Sequence, residues 1–473
     1  YDGAIGIKTG FTGNNPYSAY PRKERIKFTI QVKDDVTGTY VPKTAYLDMI
    51  QVRRIENPKG VWRSAGKSDN FHVTLMRLPY DNAEDFKPFN SEGAWRATII
   101  DGGDDFITLR STVEGSGSDN VQQTGVKSIE GAGEHPIDFW IDFKGTIPEG
   151  ATPRCAIVRV RYHNYTCEHD IFVRQGYAPI TINGNAESNN NPAWTSYNVY
   201  RFDANNAPVY TKSPLEEGSL FRRGNRTAIL ASNNDRSGFT FGVEPTGSFN
   251  VLEFGSATTS QKTWSQLAPS TDDVTNRFKE WSIAGDHERI ATIEDFYTLE
   301  STSIHSNINK AYGVLYGDGA TETQKSVKEA FGYDHNEDPT NSKKGMRGCF
   351  VFNVNNSRNI FFPIGKSGYG RRKGMTSNGE KVGTLRYAQR TDYYNNDGTG
   401  NIQYVPLFYD LFERPGAIYQ CRNRLESTNN EVKNSSAFDI NYFTMGFEGF
   451  ENGASNNNNG SDSDACFIRT VKY

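Results

Sequence analysis

Apolar and polar residues alternate along several short stretches near the start of the chain. One face of the segment Arg25–Lys33 carries four apolar side chains, Ile26, Phe28, Ile30 and Val32. A period of two residues is typical of a β-strand with one covered face. Residues 46–55 and 71–78 have similar strand character. We therefore predict a β-sandwich module over residues 1–90.

A second group of strands is predicted between residues 91 and 180. Its strand-like segments are Trp95–Ile100, Phe106–Leu109, Ile137–Phe143, Ala156–Tyr162 and Asp170–Gln175. Clusters of Gly, Asp and Asn separate these segments, and no helical period lies between them. Short strands at regular spacing favour a Greek-key sandwich. The fold predicted for residues 91–180 is thus an immunoglobulin-like β-sandwich.

The pattern changes near residue 180. Of the 43 asparagines in the chain, 8 precede residue 181 and 35 follow residue 180, and we predict a domain boundary there. Thr292 and Asp295 have the spacing of a helix capping box, in which the Thr292 hydroxyl accepts the Asp295 amide. A second helix is predicted from Thr321 or Thr323 to Gly332. Further strands are predicted at Cys349–Val354, Asn359–Pro363, Phe438–Met445 and Cys466–Val471. Residues 181–473 are therefore predicted to form an α+β domain.

Composition and charge narrow the classes of function. The 473 residues include 52 Lys and Arg against 56 Asp and Glu, a formal net charge of -4. This balance argues against a nucleic-acid partner, because phosphate binding needs an excess of basic residues. No apolar run approaches the roughly 20 residues of a membrane-spanning helix. The sequence begins with Tyr1 and has no charged n-region or apolar h-region, so we expect that a leader has been removed or left out.

The five cysteines fit no zinc framework. Cys155 and Cys167 flank a predicted hairpin turn at His163-Asn164, in a register that keeps them from facing each other. Two interpretations remain open: all five thiols are reduced or buried, or Cys421 pairs with Cys349 or Cys466. The cluster of His163, Cys167 and His169 has no evident fourth ligand, so we interpret it as hairpin surface and not as a metal site.

Residues 91–180 resemble the BACON family, immunoglobulin-like domains of carbohydrate-associated proteins of Bacteroidetes. The matching segments are Trp95–Ile99, Asp105–Leu109, Ile137–Phe143, Arg154–Val160 and the closing Ile171–Gly176. The resemblance covers about 85 residues. It implies a spacer or a weakly binding module, and no catalysis.

Residues 190–473 resemble a Bacteroidetes major-paralogue domain with a C-type-lectin-like fold. The matching segments, in order, are Arg289–Phe296, Arg347–Val351, Ile360–Pro363 with Gly368–Arg371, Gly383–Tyr387, Ala437–Tyr442 and Ala465–Val471. Ala291 stands where the family usually has Pro, and Thr470 where it places Cys. The classical calcium and sugar signatures of C-type lectins are absent from the sequence. Asp334, Asn336 and Asp338 have calcium-loop spacing, but Pro339 replaces the required Gly.

Aromatic, amide and basic residues in two loops are the candidate ligand-binding groups. Aromatic faces stack on sugars, and amides and carboxylates bind sugar hydroxyls. The candidates are Tyr369, Arg372, Tyr393, Tyr394, Asn395, Asn396 and Asp397. No nucleophile elbow, zinc-protease motif or dinucleotide fingerprint occurs in the sequence. We therefore expect no enzymatic activity, no metal and no cofactor.

The resemblances imply an exported protein of the cell surface or outer membrane. The expected function is adhesion, as a fimbrial tip or accessory subunit that presents the lectin-like domain to glycans or host proteins. Membrane attachment would come only from a lost N-terminal lipid anchor. One alternative is a polysaccharide-capturing surface lipoprotein of a glycan-utilisation system. Another is a pilus subunit that joins other fimbrial subunits through strand addition, with residues 1–20 unpaired or swapped.

Overall fold

Most of the chain that the structure describes is β-strand. The computed structural model describes residues 22–51, 56–77, 87–88, 90–112, 123–133, 135–222, 225–230, 247–267, 287–299, 307–319, 345–363, 417–420, 437–440, 447–448 and 465–473. Within these residues the strands form several sheets, and the helices are one short α-helix and one 3-10 helix. The predicted mostly-β class is confirmed.

Thirteen strands precede residue 180 in the described residues. They are β1 (Arg22–Lys33), β2 (Tyr40–Gln51), β3 (Glu56–Asn57), β4 (Gly60–Arg63), β5 (Phe71–Thr74), β6 (Met76–Arg77), β7 (Lys87–Pro88), β8 (Trp95–Ile99), β9 (Ile107–Ser111), β10 (Ser128–Gly131), β11 (Asp138–Phe143), β12 (Arg154–Tyr162) and β13 (Cys167–Gln175). The predicted strands of this region therefore form, with shifted ends.

The later strands are shorter and more scattered along the chain. They are β14 (Ala193–Phe202), β15 (Pro208–Tyr210), β16 (Ser219–Arg222), β17 (Ala228–Leu230), β18 (Ser248–Leu252), β19 (Thr259–Thr263), β20 (Glu288–Ile290), β21 (Ile308–Tyr316), β22 (Met346–Asn353), β23 (Asn359–Pro363), β24 (Ala417–Gln420), β25 (Ala437–Ile440), β26 (Phe447–Glu448), β27 (Ala465–Cys466) and β28 (Arg469–Lys472). The helices are Ser265–Leu267 (3-10) and α1 (Ile293–Tyr297). The second predicted helix lies outside the described residues.

Two sheets pack face to face in the first half of the chain. The sheet β5-β11-β9 covers the strands β10-β8-β12-β13-β4, and their inward side chains share one core. Trp95 on β8 and Phe139 on β11 stack across it with ring centroids 6.2 Å apart. The outward residues of β11 alternate with the inward Phe139, Ile141 and Phe143, as the period of two predicts. This pairing of layers is a β-sandwich.

One sheet continues beyond the sandwich into the second half of the chain. Strand β4 lies parallel to β13 on one side and to β21 on the other, and β22 and β23 follow. The eight-stranded sheet therefore contains strands from all three predicted segments. The second face of this sheet carries its own apolar cluster, with Trp62, Phe172 and Phe350 among its members. The domain boundaries predicted at residues 90 and 180 stay predictions.

Strand β28 is an inner strand of a four-stranded sheet that also contains β20, the strand before the predicted helix start. Strand β28 lies between β14 and β20 in the order β15-β14-β28-β20. At α1 the Thr292 hydroxyl accepts the Asp295 amide at 3.1 Å, and Asp295 accepts the Thr292 amide at 2.8 Å. This is the reciprocal bonding of a capping box, and the predicted helix start is confirmed. Ala291 donates its amide to the Arg469 carbonyl at 3.0 Å.

Two fully buried arginines bond these sheets together. Arg174 on β13 donates to the carbonyl oxygens of Gly176, Ala178 and Asn359 and to the Ser196 hydroxyl, at 2.6 to 3.0 Å. Arg469 on β28 donates to the Thr195 and Phe361 carbonyls and to Asn198 Oδ1. Burial lowers the pKa of Arg174 to about 10. Main-chain and side-chain oxygens thus hold both cations.

Candidate interaction surfaces

The seven predicted ligand-binding residues lie outside the described residues. These residues are Tyr369, Arg372, Tyr393, Tyr394, Asn395, Asn396 and Asp397, and the described chain ends at 363 and resumes at 417. Their role in binding therefore stays a prediction. The structure instead brings out two surfaces in the first half of the chain, the hairpin β1–β2 and the outer face of β5-β11-β9. The sequence patterns predict neither of them as a binding surface.

Strands β1 and β2 form a long two-stranded ribbon. They pair along twelve residues each, from Arg22 opposite Gln51 to Lys33 opposite Tyr40, and form a separate two-stranded sheet among the described residues. At about 3.4 Å per residue, twelve residues extend roughly 40 Å. The register places Ile26, Phe28, Ile30 and Val32 on the same face as Val41, Lys43 and Ala45. The predicted alternation of β1 is confirmed, although β1 pairs with β2 alone and joins no sandwich sheet among the described residues.

The ribbon carries most of the exposed large apolar and aromatic side chains. Five of the seven such residues in the described chain lie on it, namely Ile30 (62% exposed), Val32 (37%), Val36 (94%), Tyr40 (68%) and Tyr46 (60%). The other two, Tyr165 and Phe254, lie elsewhere. An exposed apolar patch marks a binding surface more often than isolated apolar residues do. A sequence pattern can show that β1 has an apolar face, but it does not show that the face is left open.

The turn at the tip of the ribbon is held by one aspartate. Asp34 Oδ1 accepts the amides of Val36 at 2.9 Å and Thr37 at 2.8 Å, and the Thr37 hydroxyl at 3.0 Å. The bond from the Thr37 amide is the main cause of a lowered pKa of Asp34. Gly38 follows with φ +68°, a left-handed conformation that glycine adopts without strain. The tip therefore has a defined turn that fixes the register of the ribbon.

The two outer edges of the ribbon differ. At the tip, Asp34 donates its amide to the Thr39 carbonyl at 2.8 Å. Hydrogen-bonded pairs alternate along an antiparallel ladder, so the even-numbered residues of β1 bond β2 and the odd-numbered ones direct their backbone groups outward. Pro42 lies opposite Gln31, hence at an outward position, and it has no N–H to offer. Proline on an edge strand discourages further pairing, whereas β1 contains no proline.

The outer face of β5-β11-β9 carries a row of aromatic and charged side chains. Trp140 lies directly between His72 on β5 and Arg110 on β9. The His72 ring stacks on Trp140 at 4.5 Å, and the Arg110 guanidinium lies 4.8 Å from the ring centroid. Arg110 also bonds both carboxylate oxygens of Asp142 at 2.9 and 3.0 Å, and His72 contacts Asp138. The Trp140 ring thus contacts its own neighbours, which favours a structural role for the row.

The cluster of His163, Cys167 and His169 does not assemble. His163 lies in the hairpin turn with φ +52°, and its Nδ1 accepts the Glu92 amide at 2.8 Å. His169 is buried and its Nε2 contacts the Pro58 carbonyl, so the prediction that it lies on the hairpin surface is wrong. It faces inward because β4 and its preceding residues cover this part of β13. Among the described residues, no group of three His, Cys, Asp or Glu side chains is arranged to hold a metal ion.

Three cysteines are free thiols in the structure. Cys155 and Cys349 are buried and Cys167 is partly exposed. Cys155 lies opposite Arg174 and Cys167 opposite Tyr162, which confirms that the two hairpin cysteines do not face each other. Burial raises the pKa of Cys155, and it raises the pKa of Cys349 to about 12. Both thiols are therefore held in their neutral form.

Comparisons with known proteins leave the family open. No protein-family model matches the chain, and no curated protein matches it. One solved structure that the chain matches is the crystal structure of the S-layer protein SbsC domains 4 and 5, at 13% identity over 33% of this chain and 70% of that chain. The TM-score of 0.13 is too low to carry an argument about fold or function. No helix in the described part of the chain is long and apolar enough to cross a membrane.

Proposed function

We propose that this chain is a non-enzymatic protein of the cell surface that works by binding, as a fimbrial tip or accessory subunit in adhesion. The observation that carries the proposal is the ribbon β1–β2. It concentrates the exposed apolar and aromatic side chains on one element. Solvated apolar surface of this kind costs free energy until a partner covers it. A binding protein has a use for such a face, whereas catalysis does not require one.

The second part of the proposal concerns residues 181–473. We propose a C-type-lectin-like α+β domain that presents loops to glycans or host proteins, with the β-sandwich modules as its stalk. The capping box at Thr292 supports this, because it lies within the segment Arg289–Phe296 that resembles the family's helix start. Tyr369, Arg372 and the loop Tyr393–Asp397 would form the ligand surface. Export, with a lipid anchor on a preceding segment, belongs to the same proposal.

The test is a binding screen with the full chain. Wild-type protein is applied to an array of glycans and extracellular-matrix proteins, together with the double variants Ile30→Lys/Val32→Lys and Tyr393→Ala/Tyr394→Ala. Covering the exposed parts of Ile30 and Val32, which are 62% and 37% exposed, contributes roughly 2 kcal/mol in total, so the ribbon variant should bind protein partners at least about tenfold more weakly. Phe254→Lys is the matched control, since Phe254 is also exposed but lies outside the ribbon.

The outcomes separate the two surfaces. Loss of glycan binding in the tyrosine variant alone would assign glycans to the loops, and loss of protein binding in the ribbon variant alone would assign protein partners to the ribbon. A wild-type chain that binds no member of the array would overturn adhesion. Ribbon and Phe254→Lys variants that bind as tightly as wild type would remove the ribbon from the function.

A further inference from the structure

The outer edge of β1 is paired with no strand in the described part of the chain. By the ladder alternation, Lys27, Thr29, Gln31 and Lys33 direct their backbone N–H and C=O groups away from β2. Among the described residues β2 is the strand paired with β1. Backbone groups on a strand edge are a template for one more strand. The corresponding edge of β2 is interrupted by Pro42.

The ribbon also has a structural reason to accept another strand. A two-stranded hairpin is marginally stable in water, whereas a third strand with a shared apolar face gives independent stability. Ile30 and Val32 are exposed on the face that such a strand would extend. The incoming strand would place its own apolar side chains beside them, because neighbouring strands keep their faces aligned.

The charges of the ribbon select among possible strands. Residues 22–51 contain six basic and four acidic residues, a net charge of +2, whereas the whole chain has -4 and the remainder therefore -6. Residues 25–33 contain Arg25, Lys27 and Lys33 and no acidic residue. All three lie on the polar face, opposite the apolar one. Like charges across neighbouring strands are destabilising and opposite charges stabilising.

A second copy of β1 would supply no counter-charge along this stretch, and a basic strand would be repelled. An anionic lipid surface also fits poorly, because Asp34 and Asp35 lie at the tip of the ribbon. We propose that the outer edge of β1 binds an extended polypeptide segment in which apolar residues alternate with Asp or Glu, by strand addition. This inference rests on the proposed function in taking the ribbon as a binding surface, and it defines the partner.

The experiment uses three fluorescent nine-residue peptides and the full chain. Val alternates with Glu in the first peptide and with Lys in the second, and the third has the composition of the first with Val and Glu in separate blocks. Fluorescence anisotropy should show binding of the first peptide, at least about tenfold weaker binding of the other two, and weakening of the first by added salt. Equal binding of the Glu and Lys peptides would overturn the charge selection.

Two proline variants test the edge itself. Thr29→Pro removes an outward amide of β1, and Thr44→Pro removes the outward amide directly opposite on β2. Both positions lie outside the backbone hydrogen bonds between β1 and β2, where an edge strand tolerates proline, and each variant removes the same contact between the Thr29 and Thr44 hydroxyls. Thr29→Pro should weaken the first peptide at least about tenfold, and Thr44→Pro should leave its binding within about twofold. The reverse order would overturn the assignment to β1.

Modified peptides test the same edge with the wild-type chain, so the result does not depend on whether a variant folds. Two sets of peptides are N-methylated, one at the amides along one edge of the extended peptide and one at the amides along the other edge. Only one set should lose binding, because only one edge of the peptide pairs with β1. Retained binding in both sets would overturn strand addition while leaving the ribbon as a binding surface. Self-association of the wild-type chain that Thr29→Pro abolishes, without peptide binding, would identify a second copy and overturn the acidic segment. Binding to vesicles containing anionic lipid that Thr29→Pro leaves intact would equally overturn it.

Discussion

Arg174 offers the sharpest test of how the two halves of the chain are joined. Its guanidinium lies 4.6 Å from the Trp62 ring centroid and is fully buried. It bonds the Asn359 carbonyl on β23 at 2.9 Å and the Ser196 hydroxyl on β14 at 2.8 Å. Replacement by Met keeps much of the volume but removes every donor. The main-chain carbonyls and the hydroxyl would then be buried without this partner.

The expected cost follows from these contacts. A hydrogen bond to a charged group contributes about 1.5–3 kcal/mol, and Arg174 makes four of them. Against this stands the penalty for a buried charge: the lowering of its pKa to about 10 is equivalent to roughly 3 kcal/mol. Relaxation around the new side chain reduces the loss further. We expect Arg174→Met to lower the free energy of unfolding by about 3–5 kcal/mol.

The assay is urea unfolding of the full chain, followed by tryptophan fluorescence. Arg110→Met is the matched control, because Arg110 also lies over a tryptophan ring on a strand but is partly exposed and bonds a carboxylate. An exposed ion pair contributes about 1 kcal/mol or less. Hydrogen exchange should show faster opening of β14 and β23 as well as β13 in Arg174→Met. A loss below about 1 kcal/mol, or faster exchange confined to β13, would refute the idea that Arg174 couples these strands.

Three further predictions concern buried groups. On brief treatment of native protein with iodoacetamide, mass spectrometry should find Cys167 labelled before Cys349, since the Cys349 thiol is buried with a pKa raised to about 12; equal labelling would contradict its burial. Ala291→Pro should lower the free energy of unfolding by about 1–3 kcal/mol, because the amide that bonds the Arg469 carbonyl is lost; an unchanged urea midpoint would contradict this. Burial raises the pKa of Glu288, so the folded state holds the proton of this carboxyl more tightly than the unfolded state. The stabilisation of wild type relative to Glu288→Gln should therefore be lost as pH rises from below about 4.3 through the raised folded pKa. A difference in free energy of unfolding between the two proteins that stays constant from pH 4 to 7 would show that burial does not perturb this carboxyl.

The sequence predicts local structure in this protein better than long-range pairing. The alternation in Arg25–Lys33 and Ile137–Phe143 depends on residues two positions apart, and the capping box at Thr292 on residues three apart. Each of these formed at the predicted place. The parallel pairing of β4 with β13 and β21 joins residues more than 100 positions apart. No local pattern carries that information.

The buried arginines show a second limit of sequence reasoning. Arginine is among the residues most often exposed, and a motif search pairs it with acidic residues nearby. The partners of Arg174 and Arg469 are mostly main-chain oxygens, one of them 185 positions away in sequence. Every residue type has a carbonyl, so no residue type signals these contacts. The functional residues predicted from loop composition, Tyr369 to Asp397, lie outside the described residues and stay predictions.

The ribbon β1–β2 differs from the sandwich and the eight-stranded sheet in how its side chains are covered, and this difference is the physical basis for interpreting the chain as a binding protein. In the sandwich and the eight-stranded sheet, apolar clusters lie on both faces of the long sheet, and Arg174 on β13 is bonded inside. Strand β1 of the ribbon alternates apolar and polar residues over Arg25–Lys33, yet its apolar face and its outer edge meet no other sheet in the described chain. Ordering a strand costs about 1–2 kcal/mol per residue in backbone entropy. The hydrogen bonds between β1 and β2 alone offset little of this cost. A segment that keeps this pattern without a core of its own gains its stability when a partner strand completes it.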